Sequence, residues 1–248
     1  MNNLDLIHPD DGMFEGDLNH YLKVGMQAKE IIINNFLLHD PKFKILFLPC
    51  GHGRNVRHFL KILPPDQIYA SDLVESAVEF MKENFGVNVL TSDTSFSTIL
   101  DFPKMNIIFV GSLITHLKES DSIKLIKLLS RRLKKNGLLI LSSHGQFVNS
   151  RMVSEFNYGL DIESALRIKS QYSEIGYGFA PYPYDPNYGI SLIKLNWFSK
   201  LVKRISELSL VQVTEQLWDN HHDIIVLQKN PLLKTFLAKL RFRKYFSK

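Results

Sequence analysis

Six consecutive residues, Pro49-Cys50-Gly51-His52-Gly53-Arg54, have the types and spacing to hold a small anionic or nucleotide-like molecule. Two glycines separated by one residue let backbone approach a ligand closely. A helix beginning just beyond them would offer unsatisfied N–H groups to an anion. Asp72 follows Gly53 by 19 positions, the separation at which a carboxylate at the end of the next strand can accept from both hydroxyls of a ribose. Other groups could do acid–base work: His116, His144 and His221, whose imidazoles titrate near neutrality, and the run Asp219-Asn220-His221-His222-Asp223. If that run is a strand, Asp219, His221 and Asp223 share a face and His222 points away. One nitrogen and two oxygens make at most a weak magnesium or manganese set, and no metal is assigned. Cys50 has no basic partner nearby in sequence and reads as a small apolar pocket residue rather than a nucleophile.

The elements that must position these residues follow from hydrophobic periodicity. Apolar runs at Phe43–Leu48, Gln67–Ala70, Val87–Leu90, Met105–Val110 and Leu138–Ser142 read as buried strands. Helical patterns over Arg54–Leu63, Glu75–Asn84 and Ser120–Leu133 separate them, a rhythm that predicts a parallel sheet covered on both faces by right-handed crossovers. Tyr21–Leu38 reads as a leading amphipathic helix, and Leu208–Leu217 with Asp223–Gln228 as a hairpin closing the sheet. Between them Ser150–Asn187 reads as irregular. Tyr158–Tyr188 holds six of the nine tyrosines, with Gly176, Gly178, Pro181, Pro183 and Pro186 interrupting any long helix. The expected division is a leader and cap helix over 1–40, an α/β domain over 41–230 with an aromatic substrate cover over 150–190, and a tail over 231–248.

Composition bounds the rest. The 248 residues are 45% hydrophobic and 22% charged, enough apolar content for a large core and too much for a disordered chain. One cysteine excludes an internal disulfide. The acidic start MNNLDLIHPDDG lacks a charged-then-apolar leader, which points to a reducing cytoplasm. The net charge of +5 belongs to the end of the chain. Lys234, Lys239, Arg241, Arg243, Lys244 and Lys248 face no acidic residue after Pro231, and without them 24 basic residues stand against 25 acidic ones. A nucleic-acid enzyme would carry its positive field beside its active site, so nucleic acid is not the expected partner. Leu232, Leu233, Phe236, Leu237 and Leu240 form a helical stripe that would suit peripheral contact with an anionic membrane.

The position three after Gly53 is Val56, where a dinucleotide fingerprint needs a third glycine, and no G-K-[ST] follows. An adenosyl ligand carrying a carboxylate in place of a pyrophosphate fits better, which points to S-adenosyl-L-methionine. The series Ile45–Arg54 (ILFLPCGHGR), Ser71-Asp72-Leu73, Ser92-Asp93, Gly111–Leu117 (GSLITHL) and Asn136–Gly145 resembles the class I S-adenosylmethionine-dependent methyltransferases. It is closest to a bacterial group whose first motif reads D-F-P-C-G-H-G-R. The resemblance extends to Asp11–Gly25, Tyr188–Leu192 and Trp218–Asp223.

What the resemblance implies is a Rossmann-like α/β fold with a seven-stranded, mostly parallel sheet whose last strand is antiparallel. It further implies that Pro49, Cys50, Gly51, His52, Gly53 and Arg54 cradle the methionine part. Asp72 would hold the ribose with Leu73 beside the adenine, Asp93 would accept from the adenine amino group, Gly111 and Ser112 would line the floor, and Tyr21 would help close the site. The family's acidic residue two positions before Pro49 is Phe47 here; Asp10, Asp11, Glu15 and Asp17 are the acids that could replace it. The expected activity is methyl transfer to an oxygen of a small molecule or saccharide, with His144 and His221 as candidate base or substrate ligand. Methylation of RNA and cofactor binding without turnover are the alternatives.

Overall fold

In the computed structural model, which describes residues 3–36 and 40–230, alternating strand faces build a sheet with a core on each side. The seven strands lie in the order β3-β2-β1-β4-β5-β9-β8. They are β1 (Ile45–Phe47), β2 (Ile68–Asp72), β3 (Asn88–Thr91), β4 (Met105–Val110), β5 (Leu133–Ser143), β8 (Leu208–Trp218) and β9 (His222–Lys229). Strands β1 to β5 pair in parallel, and β9 inserts antiparallel between β5 and β8. The expected seven-stranded, mostly parallel sheet with an antiparallel last strand is what the chain forms.

Side chains two apart share a face. Leu46, Ile108, Val110, Leu139 and Leu141 join α4 (Glu119–Arg132) and α7 (Leu195–Arg204) in one core. Ile45, Phe47, Ile107, Phe109 and Ile140 join α1 (Leu18–Asn35), α2 (Val56–Phe59) and α3 (Glu75–Phe85) in the other. Asp17 caps α1 by accepting from the His20 amide at 3.0 Å. Phe47 stands where the related motif carries an acid. It is buried between Phe59 and Phe109, with ring centroids 5.1 and 6.1 Å away.

Three expectations are corrected. The helix over Arg54–Leu63 is a single α-turn, because its amides alternate between bonds four residues back (Arg57 to Gly53, Leu60 to Val56) and three back (His58 to Asn55, Ile62 to Phe59). The fifth strand begins at Leu133, five residues early: Met105 pairs with Leu133 and Ile107 with Leu138, so the residues between bulge out, with Asn136 at φ 62°. The segment read as irregular holds α5 (Gln146–Arg151), α6 (Ile162–Glu174) and an antiparallel hairpin, β6 (Tyr177–Tyr182) with β7 (Asp185–Ile193). These elements enclose a small core of their own around Val148, Ile168, Tyr172, Ala180 and Leu192. The hairpin docks on the main sheet where the Ile193 amide donates to the His144 carbonyl at 2.8 Å and the Tyr177 hydroxyl to the Leu117 carbonyl at 2.8 Å. The leading helix stops at Asn35, with Phe36 extended, short of the expected Leu38; residues 37 and 38 and the 231–248 tail, with its proposed membrane contact, lie outside the described residues.

Candidate active site

A crevice of about 560 Å³ opens at the carboxyl ends of β1, β2 and β4, the edge where ligands bind in open parallel sheets. Pro49, Cys50, Gly51, His52, Arg54, Asp72, Leu73, Asp93, Gly111 and Ser112 all line it. The corner after β1 is pinned from the next strand. The Asp72 carboxylate accepts from the Gly51 amide at 2.8 Å and from the Val74 amide at 3.1 Å, and the Cys50 amide donates to the Ser71 carbonyl at 2.9 Å. Cys50 is buried, and burial pushes its thiol well above the ordinary range, as fits a wall residue.

Two sequence assignments change here. Gly53 does not line the crevice. Its φ is +87°, and a Cβ there would meet Phe85 and Met81 of α3, so its glycine serves packing beneath the corner. Tyr21 does not line the crevice either. It is buried one layer back, with its hydroxyl donating to Asp11 Oδ2 at 2.6 Å. The anion-binding helix end that the glycines seemed to promise is absent: the Gly51 amide serves Asp72, the Gly53 amide donates to the Cys50 carbonyl, and the helix is one turn long.

The leader brings two acids to the same crevice. Asp11, 5% exposed, lines the crevice with Asp10, and also accepts from the Met13 amide at 3.0 Å. Buried Arg57 staples the leader to this corner: its guanidinium donates to the carbonyls of Leu4, His52 and Gly53 and to the Tyr21 hydroxyl. His8 stacks on His52 with ring centroids 4.4 Å apart. Asp11 was legible only as one of four acids in the leader; nothing in spacing singled out Arg57.

Asp93 also reaches the crevice, but its carboxylate accepts from the Ser97 amide and hydroxyl and from the Thr98 amide. Hydrogen bonds, that of Ser95 foremost, hold it well below the usual carboxylate range. The crevice is also lined by His116, Asp185, Tyr188 and Trp218, none of which the sequence placed as cofactor contacts. Arg54 sits over the Trp218 ring at 5.6 Å, and the Trp218 indole donates to the Val24 carbonyl at 3.0 Å. Ser112 takes a left-handed φ of 57°, and its amide donates to Ser142 Oγ at 2.7 Å, the kind of held strain found at functional corners.

His144 and His221 are brought together, but beside the crevice rather than on its wall. His144 is 3% exposed, under the hairpin at the end of β5. His222 joins them, contrary to the strand-alternation argument. His221 belongs to the turn before β9, where Asp219 and Asn220 have φ of 57° and 50°, so alternation begins only after it. Asp219 instead pairs with His20 at 3.3 Å.

With this geometry in view, the fold class is plain. The mostly parallel seven-stranded sheet is that of the Rossmann-like class I methyltransferase fold, and residues 45–137 match the family model of the methyltransferase domain. The same fold recurs in an S-adenosylmethionine-dependent methyltransferase from Methanosarcina mazei (17% identity, 81% of this chain and 98% of that one, TM-score 0.54). It recurs in the N-methyltransferase NodS from Bradyrhizobium japonicum, in complex with S-adenosyl-L-homocysteine (10% identity, 93% and 100%, TM-score 0.53). Magnesium protoporphyrin IX methyltransferase from Synechocystis PCC 6803, with the same product bound, is a third (14% identity, 88% and 91%, TM-score 0.53). No curated protein matches the chain. No helix among the described residues is long and apolar enough to cross a membrane.

Proposed function

We propose that this methyltransferase transfers the methyl group of S-adenosyl-L-methionine to a hydroxyl of a small molecule or saccharide. The residues present fit the cofactor. The crevice is within the size range of small-molecule sites, Asp72 presents a carboxylate at the end of β2, and Asp11 offers one near the glycine corner for an ammonium group. The cofactor brings an electrophilic methyl group; the chain holds it, orients the acceptor and takes a proton.

The observation that carries the acceptor class is the charge of the lining. Asp10, Asp11, Asp72, Asp93 and Asp185 face one arginine, Arg54. Such a wall repels a polyanion, so a nucleic acid is disfavoured and a neutral or cationic acceptor favoured. Tyr188, stacked on His116 at 4.7 Å, offers a ring face to a sugar or aryl group. His116 is the proton acceptor in this reading, in place of His144 and His221. Its Nδ1 lies 2.8 Å from the Gly189 carbonyl, which can only accept. Nδ1 therefore carries the hydrogen, and Nε2 keeps a free lone pair.

Calorimetry with S-adenosyl-L-homocysteine tests the shared premise. Affinity should be micromolar, about −8 kcal/mol, and Asp72→Ala should lose on the order of tenfold or more while remaining folded. Unchanged affinity in that variant overturns the ribose assignment. Turnover that requires RNA and falls steeply with salt would overturn the acceptor class.

A further inference from the structure

One cluster of chemistry-bearing side chains is left unused by this reading. His144, from the end of β5, and His221 and His222, from the turn into β9, each turn one ring nitrogen toward the others, and all three nitrogens lie within 4.8 Å of one another. The rings of His144 and His222 stack at 5.0 Å, and His221 meets both edge-on, at 5.4 and 4.9 Å. Nδ1 of His144 and Nδ1 of His222 are buried without a hydrogen-bond partner. Buried polar atoms ordinarily find one, and two orphaned imidazole nitrogens in one cluster of three are donors lacking an acceptor of electron pairs.

We propose that His144, His221 and His222 bind a divalent late first-row transition-metal ion, with zinc as the reference ion. Three neutral imidazoles suit zinc, cobalt and nickel better than magnesium or calcium, which take oxygen ligands. Zinc–nitrogen bonds of about 2.0–2.1 Å put tetrahedral donors about 3.3 Å apart, so side-chain shifts of order an ångström close the triad.

The surroundings resemble an outer shell that orients metal-bound histidines. The Tyr158 hydroxyl bonds His221 Nε2, and the Ser112 hydroxyl lies 3.4 Å from His222 Nε2. Three protein ligands leave a fourth position, as in catalytic rather than structural zinc sites. Ser112 lines the crevice, so the ion would sit beside it, where an acceptor oxygen or water could complete the coordination. That last role rests on the methyl-transfer reading; binding of the ion does not.

The test uses the full chain, stripped with a chelator and titrated with Co²⁺. The expected result is one Co²⁺ per chain with the visible bands of a four-coordinate ion, displaced by Zn²⁺. In His221→Gln, a change in a partly exposed turn, affinity should fall on the order of tenfold or more; His144→Asn should do the same, while His20→Gln should leave it intact. Absence of stoichiometric Co²⁺ binding, or binding undiminished in His221→Gln, overturns the proposal. Calorimetry of S-adenosyl-L-homocysteine on the metal-free protein separates the two readings. Nucleoside binding without cobalt binding sinks the metal site alone, and cobalt binding without nucleoside binding sinks only the methyl-transfer reading.

Discussion

At the scale of single residues, the crevice draws its acidic groups from more than one part of the chain. Phe47 is locked into an aromatic cluster and contributes no charge to the site. The Asp11 carboxylate, fixed by Tyr21 and by the Met13 amide, is the nearest substitute the leader provides. A charged hydrogen bond is worth about 1.5–3 kcal/mol, so Asp11→Asn should weaken S-adenosyl-L-homocysteine by roughly tenfold to a hundredfold. Methylthioadenosine, which has neither ammonium nor carboxylate, should bind both proteins alike; equal loss for the two nucleosides would mean that Asp11 only supports the fold. His116→Gln addresses the other end. General bases contribute on the order of 10²–10⁴-fold, so kcat should fall by about 10² with cofactor affinity unchanged. Burial lowers the His116 pKa, so the base is neutral at pH 7. The acidic limb of kcat against pH should therefore lie below the ordinary histidine value, and a limb above it would assign the proton to another group.

At the scale of elements, what was legible in the sequence followed from how local its cause was. The strands carrying the glycine corner, Asp72 and Ser112 are short apolar runs with a polar end, and each was found within a few residues. The hairpin β6–β7 was missed because Pro181 and Pro186 sit inside its strands. Proline removes a ladder donor and reads as a breaker, yet a two-stranded sheet has edges enough to tolerate both. The convergence of His144 with His221 and His222, like the stapling of the leader by Arg57, joins positions far apart in the chain, so no local pattern could announce either.

The packing of α1 on the turn at α2 was equally hidden, and it carries a pH dependence. His58 is buried against Gly25, where a Cβ would collide with the Arg54 carbonyl, and both its ring nitrogens lack partners. Burial, with Lys61 and Arg57 adding to it, drives its pKa down to about 4. A depressed histidine favours the neutral form on folding, so its contribution is complete above pH 6.5 and lost as pH falls toward 4. The difference corresponds to about 3 kcal/mol. His58→Leu should flatten that part of the stability profile in urea titrations at pH 7 and pH 4.5; an unchanged slope would place the acid sensitivity elsewhere.

At the scale of the whole molecule, the crevice is a seam between parts that the chain assembles separately. The leader approaches it through Asp10, Asp11 and the His8–His52 stack, the sheet provides the corner, Asp72 and Ser112, and the hairpin provides Asp185 and Tyr188. A ligand in that seam touches all three and binds the unfolded chain not at all, so it must stabilise the whole by mass action. At a hundred times its Kd the gain is about 2.7 kcal/mol. With about 2–4 °C per kcal/mol for a chain of this size, saturating S-adenosyl-L-homocysteine should raise Tm by about 5–10 °C. Two controls locate the effect. Asp72→Ala should lose about half of the shift or more at the same ligand concentration. A chain ending at Asn230 should keep it, because every lining residue among those described precedes that point, although six basic residues are gone. A single transition that moves as one would mean that leader, sheet and hairpin unfold together around the ligand. If only part of a biphasic melt moved, the crevice would be the property of one part, and the leader's carboxylate could not be among the groups that hold the cofactor.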